Sequence, residues 1–253
     1  MDNILDSAKP VSEVSTSVNM LLYGDSGVGK TVFAGSGREK GKNDLIIDVE
    51  GGTLSAARSN SHANVIPATD YDTFVSIVDA IEKEPDRFEW VVVDSLTKLQ
   101  DVIWNKILEE AVAKSPSRSP YKKELQEYGE AQSRLKDLVE RLKNSEANVL
   151  FLALADTEVD EDGNNVRVPS IHGSNGKVQA WVSAQMDVVA YMRVLQIQDS
   201  NMRVTHFNKT PEFYAKDRLK MYPGKGVKNL TLAKYTDKIL SQSEDETTES
   251  KEK

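Results

Sequence analysis

The stretch Gly24-Asp25-Ser26-Gly27-Val28-Gly29-Lys30-Thr31 constrains this chain more than any other. It reads G-x-x-x-x-G-K-T. An apolar run, Met20-Leu21-Leu22-Tyr23, precedes it, and Val32-Phe33-Ala34 opens a helical pattern after it. Strand, glycine-rich turn and helix is the setting in which such an octet cradles a phosphate chain. The glycines let successive backbone N–H groups point inward at phosphate oxygens. A helix starting there adds unpaired N–H groups and the positive end of a dipole. All eight residues are therefore expected to line a nucleotide site, with Lys30 at the β- and γ-phosphates and the Thr31 hydroxyl on Mg²⁺. An ordinary glycine-rich turn is the alternative, and the flanking strand and helix weigh against it.

A chain of 253 residues suits one large α/β domain with small additions. It has no Cys, which rules out disulfides and thiol chemistry and fits a reducing cytoplasm. The opening residues lack the basic and apolar blocks of a signal peptide, and no apolar run approaches the ~20 residues of a membrane helix, so no membrane association is expected. The net charge of −8 argues against a wholly basic nucleic-acid coat. Local patches, not net charge, decide nucleic-acid contact.

Two further apolar runs end in acids. Leu45-Ile46-Ile47-Asp48-Val49 runs into Glu50-Gly51-Gly52, and Trp90-Val91-Val92-Val93 runs into Asp94-Ser95. Both read as buried parallel strands, whose carboxyl ends face the ligand in α/β sheets. Asp94 fits the Walker B position, on the Mg²⁺ shell opposite Thr31. Ser95 follows where many NTPases keep a glutamate base, so Glu50 becomes the candidate base that orients the attacking water. A loop acid that merely forms a salt bridge is the other reading of Glu50.

The remaining pattern is helical and strand-like by turns. Asp70 caps a helix whose Phe74, Ile77, Val78 and Ile81 belong to the core. Leu96, Leu99, Ile103, Ile107 and Leu108 form a second stripe. A third runs through Leu125, Tyr128, Ala131, Leu135, Leu138, Val139 and Leu142. Between these two helices, residues 114–123 hold Lys114, Arg118, Lys122 and Lys123 with no acid. Phosphate-backbone contact and a solvated linker are equally compatible with that composition. A strand over 148–155 ends at Asp156, and residues 158–175 read as a polar excursion with a short strand at 166–169. A strand at 187–192 follows, and 192–198 with 202–207 predicts an antiparallel hairpin. Lys216, Arg218 and Lys220 form either a solvated face or a source of charge across a subunit interface. Residues 1–17 read as a flexible arm, 18–240 as the folded domain and 241–253 as an acidic disordered tail. His62, His172 and His206 are isolated, so no metal beyond nucleotide-bound Mg²⁺ is expected.

Taken together, the P-loop, the strand ending in Glu50 and the Val92-Val93-Asp94-Ser95-Leu96 segment resemble the ATPase core of RecA-type recombinases. The chain is more closely similar to the compact RecA-like nucleotide-binding proteins of tailed phages, which act as single-strand annealing recombinases. Tyr128-Gly129, Val168-Pro169-Ser170, Gly173, Asp187-Val188-Val189 and Lys216-Asp217-Arg218 add weaker family marks. The resemblance implies an α/β RecA-like core: a mostly parallel central sheet flanked by helices, with a C-terminal antiparallel hairpin. It implies ATP and Mg²⁺ as cofactors and Glu50 as the catalytic glutamate. It places a first DNA-binding segment at 114–123, with Arg118, Lys122 and Lys123, and a second at 157–177, with Arg167 and Lys177. It also puts Lys216 and Arg218 in a neighbouring copy's ATP site. Two departures stand out. RecA itself has a glutamine where this strand ends at Ala155-Asp156, and no aromatic residue lies between Thr157 and Lys177 to stack on bases.

The expected protein is thus an ATPase, stimulated by single-stranded DNA, that assembles head to tail as a ring or filament in the host bacterial cytoplasm. A single-strand-binding protein is an expected further partner. A P-loop switch that recruits partners without touching DNA is the alternative. A small-molecule kinase ranks lower, because no Arg-rich lid is evident.

Overall fold

A computed structural model describes residues 8, 17–52, 57, 61–173, 177–197, 200–224 and 226–249. The arm expected over 1–17 lies outside them apart from residues 8 and 17. So do residues 174–176 of the second expected DNA segment and the last four residues, 250–253.

The described residues form β1 (Asn19–Gly24), α1 (Lys30–Ala34), β2 (Leu45–Asp48), β3 (Asn64–Pro67), α2 (Tyr71–Lys83), β4 (Trp90–Asp94), α3 (Leu96–Lys114) and α4 (Leu125–Lys143). They continue with β5 (Asn148–Val159), β6 (Asn165–Pro169), α5 (Lys177–Gln185), β7 (Val188–Ile197), β8 (Ser200–His206), β9 (Lys216–Asp217), β10 (Val227–Lys228) and α6 (Leu232–Glu249). The sheet order is β10-β8-β7-β1-β5-β4-β2-β3, with β6 on β5 and β9 on β7. Pairing is parallel from β7 through β1, β5, β4 and β2 to β3. It is antiparallel between β7 and β8 and between β8 and β10. This is the expected architecture: a mostly parallel sheet flanked by helices, with an antiparallel hairpin toward the C-terminus.

The continuous apolar runs of β1, β2 and β4 are buried along their whole length, as strands covered on both faces must be. Alternate residues of β1 serve opposite layers. Leu21 and Tyr23 pack with Phe74, Leu99, Leu135 and Val182 from α2 to α5; Met20 and Leu22 pack with Phe33 of α1 and Tyr235 of α6. Asp70 caps α2 by accepting from the Thr73 N–H at 2.9 Å, as its position before the apolar stripe predicts. The parallel register sets Asp48 beside Asp94 and Gly24 beside Leu154, so several strand ends meet along one edge.

Four features differ from the sequence reading. The strand expected to end near Asp156 continues to Val159 and turns back through β6, so the polar excursion is a β-hairpin. The added part of β5, residues 156–159, is exposed and mostly polar, which hides it from sequence inspection. The segments at 187–192 and 192–198 are one long strand, β7. Leu125 and Tyr128 are exposed at the start of α4 rather than buried in its apolar face. Finally, α6 runs on to Glu249, across the first nine positions of the expected disordered tail. Leu232 and Tyr235 anchor its first turns, and Trp90 Nε1 donates to Thr236 Oγ1 at 2.9 Å. Extending a helix from such a start avoids the cost of nucleation. Among the described residues no helix is long and apolar enough to cross a membrane.

Candidate nucleotide site

The P-loop turns between β1 and α1 with Gly27 and Gly29 at positive φ, 77° and 98°. Gly24 is required for a different reason: a Cβ there would lie 2.3 Å from the Met192 carbonyl oxygen of β7. Lys30 is buried, and its Nζ donates to the carbonyls of Gly24 at 2.9 Å and Asp25 at 3.0 Å. The loop's own carbonyls thus hold the amine that a phosphate would take. Burial pushes this amine down from its ordinary value, while the Asp94 and Glu50 carboxylates push it back up.

Asp94 ends β4, and Thr31 Oγ1 donates to its Oδ2 at 2.7 Å. Burial raises the Asp94 carboxyl to about 6, opposed by the Thr31 hydrogen bond and helped by Glu50 and Asp48. Glu50 sits exposed just past β2 and accepts from the Ser95 hydroxyl. Ser95 also caps α3, accepting from the Lys98 N–H at 3.3 Å. The residue that replaces a glutamate after Asp94 therefore orients the glutamate supplied by β2.

Asp48, which the sequence did not single out, fastens that turn. Its Oδ1 accepts from the N–H groups of Glu50, Gly51 and Gly52 at 3.1, 2.7 and 3.3 Å. Its signal was present in the D-x-E-G-G spacing, where an Asx-type turn is favoured. Arg203 of β8 was also missed, and the sequence gives no signal for it. Its guanidinium packs on Gly29, where an added Cβ would come within 2.7 Å of it. A cation from the antiparallel hairpin therefore leans on the phosphate loop.

A hydroxyl and a carboxylate in contact, with two more carboxylates acting on the buried one, suit a hard divalent cation, so the residues fit Mg²⁺. Thr31 and Asp94 would hold it, and it would neutralise charge on the phosphates. Among the described residues no group of three or more His, Asp or Glu side chains forms a metal site by itself. A cation held by Thr31 and Asp94 would draw its other ligands from phosphate and water.

The other expected site residues lie elsewhere. Lys216 Nζ donates to the Ser183 and Ala184 carbonyls at 2.8 and 3.4 Å, and Arg218 to Ala184 at 3.3 Å. Both cap the last carbonyls of α5, away from this chain's own P-loop. Burial, and then the Arg218 charge, push the Lys216 amine down to about 8, against the pull of Asp187. Arg118 does not project from its loop: it pairs with buried Glu127 at 2.7 Å and donates to the Lys122 carbonyl at 2.7 Å. Arg167 points back from β6, pairing with Asp25 of the P-loop and donating to Thr157 Oγ1 at 2.9 Å. Lys122, Lys123 and Lys177 are exposed, with Lys123 Nζ 4.2 Å from the Trp104 ring centre.

A phosphate loop, a hydroxyl–carboxylate pair beside it and a glutamate from the adjoining strand define a P-loop NTPase domain. The chain belongs to the AAA domain family, whose model matches residues 16–219. No curated protein matches it. Among solved structures it is similar to a KaiC-like protein from the hyperthermophilic archaeon Pyrococcus horikoshii, at 12% identity, a TM-score of 0.49, and 83% and 84% coverage of the two chains.

Proposed function

We propose that this chain is a RecA-like ATPase that binds single-stranded DNA and serves phage recombination as an annealing protein, assembling head to tail with its own copies. The observation that carries the reading is the meeting of Lys30, Thr31, Asp94 and Glu50, with the glutamate supplied by the end of β2. In this reading ATP draws Lys30 off the Gly24 and Asp25 carbonyls. Glu50, steadied by Ser95 and by the turn on Asp48, accepts a proton from the attacking water. Lys122, Lys123 and Lys177 supply phosphate contacts to the strand, and Lys216 or Arg218 supplies charge to a neighbour's ATP. A single-strand-binding protein is a further partner in this reading. The test is ATP hydrolysis by purified protein at low salt, with and without single-stranded DNA. Stimulation by the strand supports the reading, and absence of both binding and stimulation defeats it.

A nucleotide switch without DNA is favoured by one observation: Arg118 and Arg167 are both engaged by acids of this chain. The two readings part on salt. Several phosphate contacts make affinity fall steeply as salt rises, whereas the switch shows no DNA affinity to lose.

A further inference from the structure

We propose that Trp104 and Tyr128 form a stacking pocket for the bases of single-stranded DNA; this rests on the DNA-binding reading above. The two rings meet edge to face, 4.9 Å between centres and 73° between planes, on facing sides of α3 and α4. They line a cavity of about 410 Å³ with Gln100, Gln132, His172 and Gly173. That size falls in the range of small-molecule sites.

Three observations point to a nucleic-acid base. First, Tyr128 is 46% exposed although the periodicity of α4 assigns it to the core, so its ring is available at the rim. Second, the amine of Lys123 stands over the Trp104 ring, with exposed Lys122 beside it in the chain. Aromatic rings beside mobile lysines match a base joined to phosphates: a base can replace the Lys123 amine on the Trp104 face while the lysines follow the backbone. Third, both segments at which DNA contact is expected reach this place: the first sets Lys123 on the Trp104 ring, and the second contributes His172 and Gly173 to the cavity wall. Lys123 belongs to 114–123, and His172 and Gly173 belong to 157–177. Gln100 fixes the second of these to α3 by donating to the His172 carbonyl at 2.7 Å and accepting from the His172 N–H at 2.9 Å. The aromatic surface missing between Thr157 and Lys177 is thus supplied by the helices against which that segment is tied.

The test measures binding of the full chain, with ATP, to labelled oligothymidylate and to an abasic deoxyribose-phosphate strand of equal length. Wild type is expected to prefer the base-bearing strand by about tenfold or more. Trp104→Ala and Tyr128→Ala should each weaken oligothymidylate binding roughly five- to a hundredfold, abolish the preference and leave the salt slope unchanged. Trp104→Phe should retain most of the affinity. If Trp104→Ala does not fold, Tyr128→Ala at the rim and the wild-type comparison of strands still decide. Equal wild-type affinity for both strands overturns the pocket but leaves DNA binding intact. Failure to bind either strand overturns the functional reading and the pocket together. If both variants keep the preference for bases and lose self-association instead, the cavity is a protein contact and the proposal falls.

Discussion

The nucleotide site and the α3–α4 surface handle charge in opposite ways. At the strand ends, Lys30, Asp48, Glu50 and Asp94 crowd together, and the buried carboxyl of Asp94 is raised to about 6. On the α2–α4 side, charges are settled in pairs: Arg118 with Glu127, Arg134 with Glu110 and Glu130, Arg141 with Asp79 and Glu82, Lys106 with Asp72. The first arrangement concentrates like-charge repulsion that a bound divalent cation would relieve. The second holds helices together at modest gain per pair and leaves Lys122 and Lys123 exposed. Polarity alone does not reveal a site; unresolved charge does.

The largest effects should come from breaking the crowded site. Lys30→Ala removes the buried amine of the phosphate loop, and nucleotide binding and turnover should be lost in a fluorescent-nucleotide titration and a phosphate-release assay. Turnover at the wild-type rate would remove the P-loop from the chemistry. Glu50→Gln keeps the shape and removes the base, so hydrolysis should slow about 10²- to 10⁴-fold while nucleotide affinity holds. Full activity would move the base elsewhere, with Asp156 next to be tested. Asp48→Ala frees three backbone N–H groups and loosens the Glu50 turn. Misplacing the base should lower turnover by up to about a hundredfold. An unaltered rate would show that Ser95 alone positions Glu50.

Lys30, Thr31, Glu50 and Asp94 could be read from the sequence because each ends or follows a buried apolar run, and parallel strands deliver such ends to one edge. Their geometry is local: a strand, a turn and a spacing. Arg118 and Arg167 could not, because a cation's partner is chosen by tertiary contact. Glu127 meets Arg118 only when α4 folds against the loop, and Asp25 lies 142 residues from Arg167. Arg203 reaches Gly29 by the same kind of long-range approach. Tyr128 was misassigned because periodicity reports which face of a helix is apolar, whereas the burial of each turn depends on whether a neighbour covers it. The far half of α6 was hidden by its polar composition.

Asp44, at the opposite end of β2 from the nucleotide site, tests whether a buried carboxyl beside a second acid is a liability. Its carboxyl faces Glu89, the Arg38 guanidinium and the Trp90 N–H, and Oδ1 has no hydrogen-bond partner. Burial, and then Glu89, raise it from 3.8 to about 7. Between those values the folded chain holds a proton that the unfolded chain has released, so stability falls as pH rises from about 4 to about 7. Glu82, Glu110 and Glu127 are held below their ordinary value of 4.5 and act oppositely, but only below it. Thermal unfolding of nucleotide-free protein should show the fall, and Asp44→Asn should recover a share of it, on the order of a few kcal/mol. Asp94 contributes in the same direction and persists in that variant. An identical pH profile for both proteins would mean that water reaches Asp44.

The smallest effect separates paired from unpaired cations on the α3–α4 side. Arg118→Ala strands the buried carboxylate of Glu127, which keeps only the Glu124 N–H at 2.8 Å. That should lower the melting temperature. On the DNA-binding proposal it removes no cation that a strand reaches, so the slope of log affinity against log salt should stay the same. Lys122→Ala should do the reverse, leaving the melting temperature in place and reducing the slope by about one contact. Both readings come from one pair of variants in one salt series. If Arg118→Ala lowers the slope while stability holds, then Arg118 leaves Glu127 for phosphate when DNA arrives. Pairing on this side would then be a resting state, and the contrast with the nucleotide site would be one of degree.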